Sequence, residues 1–313
     1  METSEAKLPI SVCIPTKDRP EELKTCIKSI LEQSELPAEI VIIDDGNLSQ
    51  AVYRQLIEPH ARFIYFKKDK PSTAASRNLA KSLTSNNLIL MVDDDTALDK
   101  EYIKNIFKIF NKDINKEIGI VGGIIVNRKK KSWFDMLYRR LFLLDNGKPG
   151  RLLPWGFQTG FNGIVQDIIV DWVSTCAVCF RRDVLEEFFF EELVAGRNAL
   201  EDVEFSWKVF NSKKYKMIVT PTARLYHYHS STHREAMFNT GFKQAFKRCW
   251  IFKKHCDRTL KNTILFGWAM TGHILGMIGT GKLNTALGNI RGIVSFLKER
   301  LKTENYSAKN WNR

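Results

Sequence analysis

The stretch that most constrains this chain is Leu88-Ile89-Leu90-Met91-Val92, which runs straight into Asp93-Asp94-Asp95. Five consecutive apolar residues leave no face for water, so the segment reads as a strand covered on both sides. Carboxylates cannot follow such a strand into a core unless they are paired or bind a cation. In an open α/β sheet, ligands gather at the carboxyl ends of the strands, where this cluster falls. Three adjacent acids repel one another, so a positive partner is expected. A hard divalent cation holding a phosphate is the leading candidate, and a solvated acidic turn is the alternative.

The segments upstream repeat the same plan. Residues 10–14 form a short β-rich run stopped by Pro15. Leu23, Ile27, Ile30 and Leu31 then recur at helical spacing over residues 21–31. Residues 39–43 read as a second buried strand, ended by Asp44-Asp45-Gly46. A helix over 50–58, a strand over 62–66 and a helix over 76–83 lead to the opening strand. This alternation predicts a parallel or mostly parallel sheet with helices on both faces. Beyond residue 98 the pattern predicts helices over 101–110, 183–189 and 200–210, and strands over 118–126 and 170–180. Two short strands follow, over 217–220 and 223–227, and residues 146–163, rich in Gly and Pro, read as loop.

Charge is distributed unevenly. Of a formal net charge of +13, most lies beyond residue 229, where 15 Lys and Arg stand against 4 Asp and Glu. Residues 263–280 carry no formal charge but include four glycines, which is weak for a spanning helix of ~20 mostly apolar residues. A basic amphipathic segment lying among lipid headgroups fits better, with a solvated helical appendage as the alternative. Residues 1–7 do not resemble a signal peptide, so the six cysteines are expected as free thiols in a reducing compartment.

Four polar clusters therefore stand at strand ends or a helix start: Pro15-Thr16-Lys17-Asp18-Arg19, Asp44-Asp45-Gly46, Ser76-Arg77-Asn78 and Asp93-Asp94-Asp95. Together they resemble the P-T-x-(D/N)-R, D-D-G, R-N and D-x-D motifs of family 2 glycosyltransferases over roughly residues 8–230. The resemblance implies a GT-A fold: an α/β, Rossmann-like mixed sheet flanked by helices, here followed by a basic helical C-terminal appendage. It implies a UDP-, dTDP- or GDP-sugar donor bound by Pro15, Thr16, Asp18, Arg19, Asp44, Asp45, Arg77, Asn78, Asp93 and Asp94. Asp44 or Asp45 and Arg77 would meet the nucleobase. Asp93 would face the ribose or base, and Asp95 would bind Mg²⁺ or Mn²⁺ with Asp93 and His227 completing the metal set. Asp94 is expected to serve mainly for spacing.

Glu201-Asp202 resembles the family's E-D motif. By that analogy Asp202 is the base that deprotonates the acceptor hydroxyl and Glu201 its acceptor-positioning neighbour; the bland reading is a helix start whose acids favour the macrodipole. Thr175 and Ala80 stand where glycines are usual in the family, which leaves the donor-pocket shape open. Trp172 suits either sugar stacking or a core. His229 and His233 lie close enough to His227 to be mistaken for it, and a three-histidine zinc site is the sharper alternative. Residues 276–282 mimic a P-loop but lack its Ser/Thr and a preceding strand. Cys176 and Cys179 have zinc-knuckle spacing without a second pair, so core thiols are expected.

The expectation is a GT-A domain over 1–235 (donor half 8–98, acceptor half 99–235) and a membrane-associated basic region over 236–313. The resemblance implies an inverting, hexosyltransferase-type enzyme acting on a glycan or lipid-linked acceptor, cytoplasmic and peripheral on the inner face of the cell membrane. No nucleic-acid partner is expected. The rivals are a sugar-phosphate nucleotidyltransferase and a basic nucleic-acid-binding protein.

Overall fold

A computed structural model describes residues 7–128, 132–192, 199–228 and 236–309. The chain divides into two compact units. The first comprises Met1–Lys130, Phe161–Glu192 and Phe205–Thr232; the second comprises Lys131–Gly160, Leu193–Glu204 and His233–Arg313.

Among the described residues, the first unit is built on a nine-stranded mixed sheet. Its opening half alternates as expected: β1 (Leu8–Thr16), α1 (Pro20–Leu31), β2 (Pro37–Asp44), α2 (Gln50–Ile57), β3 (Arg62–Lys67), α3 (Thr73–Leu83) and β4 (Leu88–Val92). Strands β3, β2, β1 and β4 lie side by side and parallel. Then come β5 (Thr96–Leu98), α4 (Tyr102–Lys112), β6 (Ile118–Ile125), and, beyond α5 (Trp133–Leu141) of the second unit, β7 (Ile168–Val170), β8 (Ala177–Arg181) and α6 (Arg182–Glu187). Helix α7 (Glu201–Ser212) and β9 (Lys216–His227) complete this part of the chain. Strand β8 joins the two halves by pairing antiparallel with both β4 and β6.

The strands alternate as a sheet covered on both faces demands. Ile10, Val12, Ile14, Ile40, Ile42, Leu90 and Val92 enter one core, and Cys13, Val41, Ile43, Ile89 and Met91 enter the other. Because β1, β2 and β4 run the same way, Thr16, Asp44 and Asp93 finish at one edge.

Two expectations change. Residues 170–180 are two strands, because β7 pairs with β9 while β8 pairs with β4 and β6. The connecting chain must leave the sheet between them, and Val173 N donates there to Ser206 Oγ (3.2 Å). The two short strands over 217–227 are one, since β9 continues past Pro221 where its register with β6 shifts. Gly123 makes that irregularity possible: a Cβ there would lie 2.2 Å from Ala223 O. Strand β5 and helix α5 were not anticipated at all.

The second unit contains α5, α8 (Met237–His255), α9 (Leu260–Gly279) and α10 (Leu283–Lys309). Its core gathers Leu144, Leu153, Phe157, Ala245, Ala269 and Met270. Helices α8 and α10 meet backbone to backbone: a Cβ on Gly288 would lie 2.0 Å from Phe238 O, and one on Gly241 2.2 Å from Thr285 O. No described helix is long and apolar enough to cross a membrane. All six cysteines are free, five of them buried. Residues 276–282 fall at the end of α9 with a helix before them, as rejection of the P-loop requires.

Candidate active site

The site of the first unit starts where β4 ends. Asp93 N donates to Cys176 O (2.8 Å) and Thr96 N to Asp93 O (3.1 Å), so the chain turns sharply and enters β5. That short strand pairs antiparallel with the end of β9, setting Thr96 opposite His227. Tyr228 N donates to Asp95 O (2.9 Å) and closes the ladder. As a result His227 Nε2 lies 3.0 Å from Asp95 Oδ1. Ligand atoms of Asp93, Asp95 and His227 all lie within 4.8 Å of one another.

The repulsion expected among three adjacent acids is relieved separately at each. Arg77, buried on α3, donates to Asp93 Oδ1 (3.0 Å), with its guanidinium over the Phe190 ring. Asp94 turns inward and accepts from Thr16 Oγ1 (2.8 Å) and Arg19 Nη1 (3.1 Å), tying the end of β4 to that of β1. Burial pushes the Asp94 carboxyl up to about 6, against the downward pull of Thr16 and Arg19. Asp95 has His227.

The remaining candidate residues are each braced by neighbours in the fold. Asp44, fully buried, accepts from Gly46 N (2.6 Å), Leu48 N (3.0 Å) and Tyr65 Oη (2.6 Å). Burial would raise its carboxyl, but these donors together with Lys67 hold it below the ordinary carboxylate range. Asp45 pairs with Lys68 (2.9 Å) and accepts from Ser72 N (2.9 Å), fixing the entry to α3. Asp18, at φ 52°, accepts from Asn47 N (2.9 Å) and locks the loop after Pro15 onto the Asp44–Gly46 turn. Gly46 is required there, since a Cβ would lie 2.3 Å from Asp18 Oδ1. Asn78 spends its amide on the backbone of Phe190, donating to its O (2.9 Å) and accepting from its N (2.7 Å).

Trp172 is buried against Phe161 (ring centroids 4.5 Å apart) and belongs to the core. His229 and His233 lie outside the described residues. One residue not anticipated is Asn127, whose side chain makes a reciprocal amide pair with the backbone of His227: Asn127 Nδ2 donates to His227 O and His227 N to Asn127 Oδ1, both 3.0 Å. No motif surrounds it, so only the pairing of β6 with β9 identifies it.

Glu201 and Asp202 belong to the second unit, in the first turn of α7. Leu200 before them is held at φ 53°, a left-handed conformation that a leucine adopts only under constraint. The same turn is anchored by Glu204, fully buried, which accepts from His255 Nε2 at the end of α8 (2.9 Å). Neither anchor residue was singled out by the sequence.

Comparison with known proteins settles the family. The sequence model described as Glycosyl transferase family 2 matches residues 11–189, more than half of the chain. The chain belongs to glycosyl transferase family 2. Among curated relatives, an N-acetylglucosaminyltransferase of Azorhizobium caulinodans is 27% identical over 134 residues (41% of this chain, 33% of that protein). A glucosyl-dolichyl phosphate glucuronosyltransferase of Haloferax volcanii is 24% identical over 203 residues (63% and 60%). The chain thus spans less than two thirds of these relatives' lengths. Among solved structures, S. aureus TarS 1-349 in complex with UDP-GlcNAc superposes with a TM-score of 0.57 at 15% identity, covering 94% of this chain and 81% of that one. The mannosyltransferase PcManGT of Pyrobaculum calidifontis, in complex with GDP-Man and Mn²⁺, gives 0.54 at 14% identity, covering 95% and 83%. The family 2 chain therefore has the GT-A fold that the sequence motifs implied.

Two carboxylates and an imidazole, brought this close at a sheet edge, are a donor set suited to Mg²⁺ or Mn²⁺. The three-histidine zinc alternative would need His229 and His233, which lie outside the described residues.

Proposed function

We propose that this protein transfers a sugar from a nucleoside-diphosphate donor to a hydroxyl of a glycan or lipid-linked acceptor, with inversion at the anomeric carbon. The observation that carries the reading is the convergence of Asp93, Asp95 and His227 at the edge where β1, β2 and β4 end. Family membership supports the reaction class, and the UDP-GlcNAc and GDP-Man complexes of the structural neighbours support a nucleotide-sugar donor.

In this reading the turns at residues 15–19 and 44–46 hold the nucleoside, with Arg77 orienting Asp93 toward it. Asp93, Asp95 and His227 would hold Mg²⁺ or Mn²⁺, which would supply positive charge to offset that developing on the departing diphosphate. Asp202 takes the proton of the acceptor hydroxyl as the new C1–O bond forms and the C1–O bond to phosphate breaks. Glu201 positions the acceptor. The basic excess beyond residue 229 supports a place on the inner face of the cell membrane, near a lipid-linked acceptor. Release from membranes by high salt is the expected behaviour; release by detergent alone would overturn a peripheral attachment.

The test is a panel of UDP-, dTDP- and GDP-sugars, scored with Mn²⁺ by thermal stabilisation and by nucleoside diphosphate released. At least one donor should raise Tm, and Asp95→Ala should abolish the metal-dependent part of that shift. Asp202→Asn should keep donor stabilisation while turnover falls by about 10²–10⁴-fold, the usual worth of a positioned base. Stabilisation by none of the donors defeats the proposal. Release of pyrophosphate in place of a nucleoside diphosphate would instead identify a nucleotidyltransferase.

A further inference from the structure

The second unit presents apolar side chains to solvent in an ordered way. Helix α5 buries none of its residues, and Trp133, Phe134, Leu137 and Leu141 are between 58% and 66% exposed. On α9, Leu260, Ile264, Trp268, Leu275 and Ile278 are all exposed. With Thr271 between them, they recur every three or four residues and form one stripe down the helix. At 20 residues that stripe is about 30 Å long. No charged residue occurs between Lys261 and Lys282.

The two helices are fixed to each other. Tyr138 Oη donates to Gly272 O (2.6 Å), and Trp268 Nε1 donates to Leu141 O (2.8 Å). The Trp268 ring stacks on Phe142 (centroids 4.9 Å apart), and Gly272 lets Phe142 approach where a Cβ would lie 2.2 Å from it. Leu141 therefore adjoins Trp268, and the two apolar faces form one patch. Cations flank it in the sequence: Arg139 and Arg140 in the last turn of α5, Arg258 and Lys261 at the start of α9, and Lys282 beyond its end. Asp135 and Asp257 are the acids on the same segments.

A continuous exposed apolar patch of this extent marks a contact surface. Its composition selects the partner. Tryptophans among aliphatic side chains, with basic residues at both ends, match the boundary between acyl chains and anionic headgroups. We propose that α5 and the exposed stripe of α9 form a docking face that lies in the surface of an anionic lipid bilayer, its side chains reaching the acyl boundary. The helices lie along the membrane, in keeping with the absence of any described helix apolar enough to cross it. This deepens the membrane partner proposed above and rests on that reading only for the benefit to the enzyme; the surface itself is independent of the donor site.

The experiment uses the full chain with vesicles of phosphatidylglycerol and phosphatidylcholine, and of phosphatidylcholine alone. Wild type should sediment with the anionic vesicles, and acyl-brominated lipid should quench its tryptophan emission. The double variant Leu137→Glu/Ile264→Glu should bind at least about tenfold more weakly, the worth of one such side chain remaining in water. Its thermal shift with the sugar nucleotide should equal that of wild type, which also reports an intact fold. Equal vesicle binding by the two proteins would overturn the proposal, as would binding that high salt abolishes without any bromine quenching. A wild-type dimer dispersed by the double substitution would overturn it in favour of self-association. If no sugar nucleotide stabilises the protein, circular dichroism replaces that control, so failure of the functional reading leaves the vesicle result interpretable.

Discussion

Each of the three adjacent aspartates at the end of β4 is held by a different element: Asp93 by Arg77 of α3, Asp94 by Thr16 of β1, Asp95 by His227 of β9. Asn127 adds a support behind the last of these, because its amide fixes the backbone that aims the imidazole. Asn127→Ala should weaken Mn²⁺ binding by about tenfold, the lower end for loss of a ligand's outer support, measured by calorimetry. Unchanged affinity would place Asn127 outside the metal site. Gly46→Ala forces a Cβ to within 2.5 Å of the Asp18 backbone N, so donor stabilisation should be lost along with several degrees of Tm. The residue types at this site were legible because carboxylates directly after a buried strand must be paired or bind a cation. Their division of labour was not. The motifs mark Asp94, Asn78 and Asp44 as donor-site candidates but not the protein groups that hold them. Their hydrogen bonds go to Thr16, Phe190 and Tyr65, and no local pattern announces partners that distant in sequence.

Elements separate into those that sequence periodicity reveals and those that only pairing creates. Buried strands and the helices α1 to α4 declare themselves by spacing. Strand β5 spans three residues, too few to show any period, and exists because β9 is there to receive it. Helix α5 buries none of its residues, so its pattern marks no core face by which to place it. Helix α7 was legible from its acids, but not what holds its first turn. His255→Ala would take the imidazole from the buried Glu204 carboxylate, leaving Lys254 Nζ at 4.0 Å, and should cost about 3 kcal/mol, read from chemical denaturation. Glu204→Gln should cost less, because an amide still hydrogen-bonds to the ring. If the two variants are equally mild, the pair does not anchor α7. Gly288→Ala, which puts a Cβ 2.0 Å from Phe238 O, should separate α8 from α10 and lower Tm by several degrees.

Across the whole molecule, composition identified a basic C-terminal region, but not that residues 131–160 belong with it. That association depends on contacts such as Arg248 with Gly156 O (3.0 Å), which join segments far apart in the chain. The second unit should also give the protein an acid-sensitive stability. Burial, aided by Arg248 and Arg139, lowers His273 to about 4. Between pH 6.5 and 4 the unfolded chain takes up a proton that the folded unit refuses. The stabilising contribution is therefore full above pH 6.5 and falls as the pH drops toward 4, by on the order of 3 kcal/mol. His273→Gln should flatten the denaturation midpoint across that window; an unchanged slope would assign the acid sensitivity to other groups. The β5–β9 pairing carries a last consequence, for the order in which competence is acquired during synthesis. Asp93 and Asp95 leave the ribosome early, but His227 ends the last strand of the sheet, and its partners must wait for it. A nascent chain that has folded only its parallel half holds both acids without the imidazole, so the three-residue cluster is a property of the finished sheet.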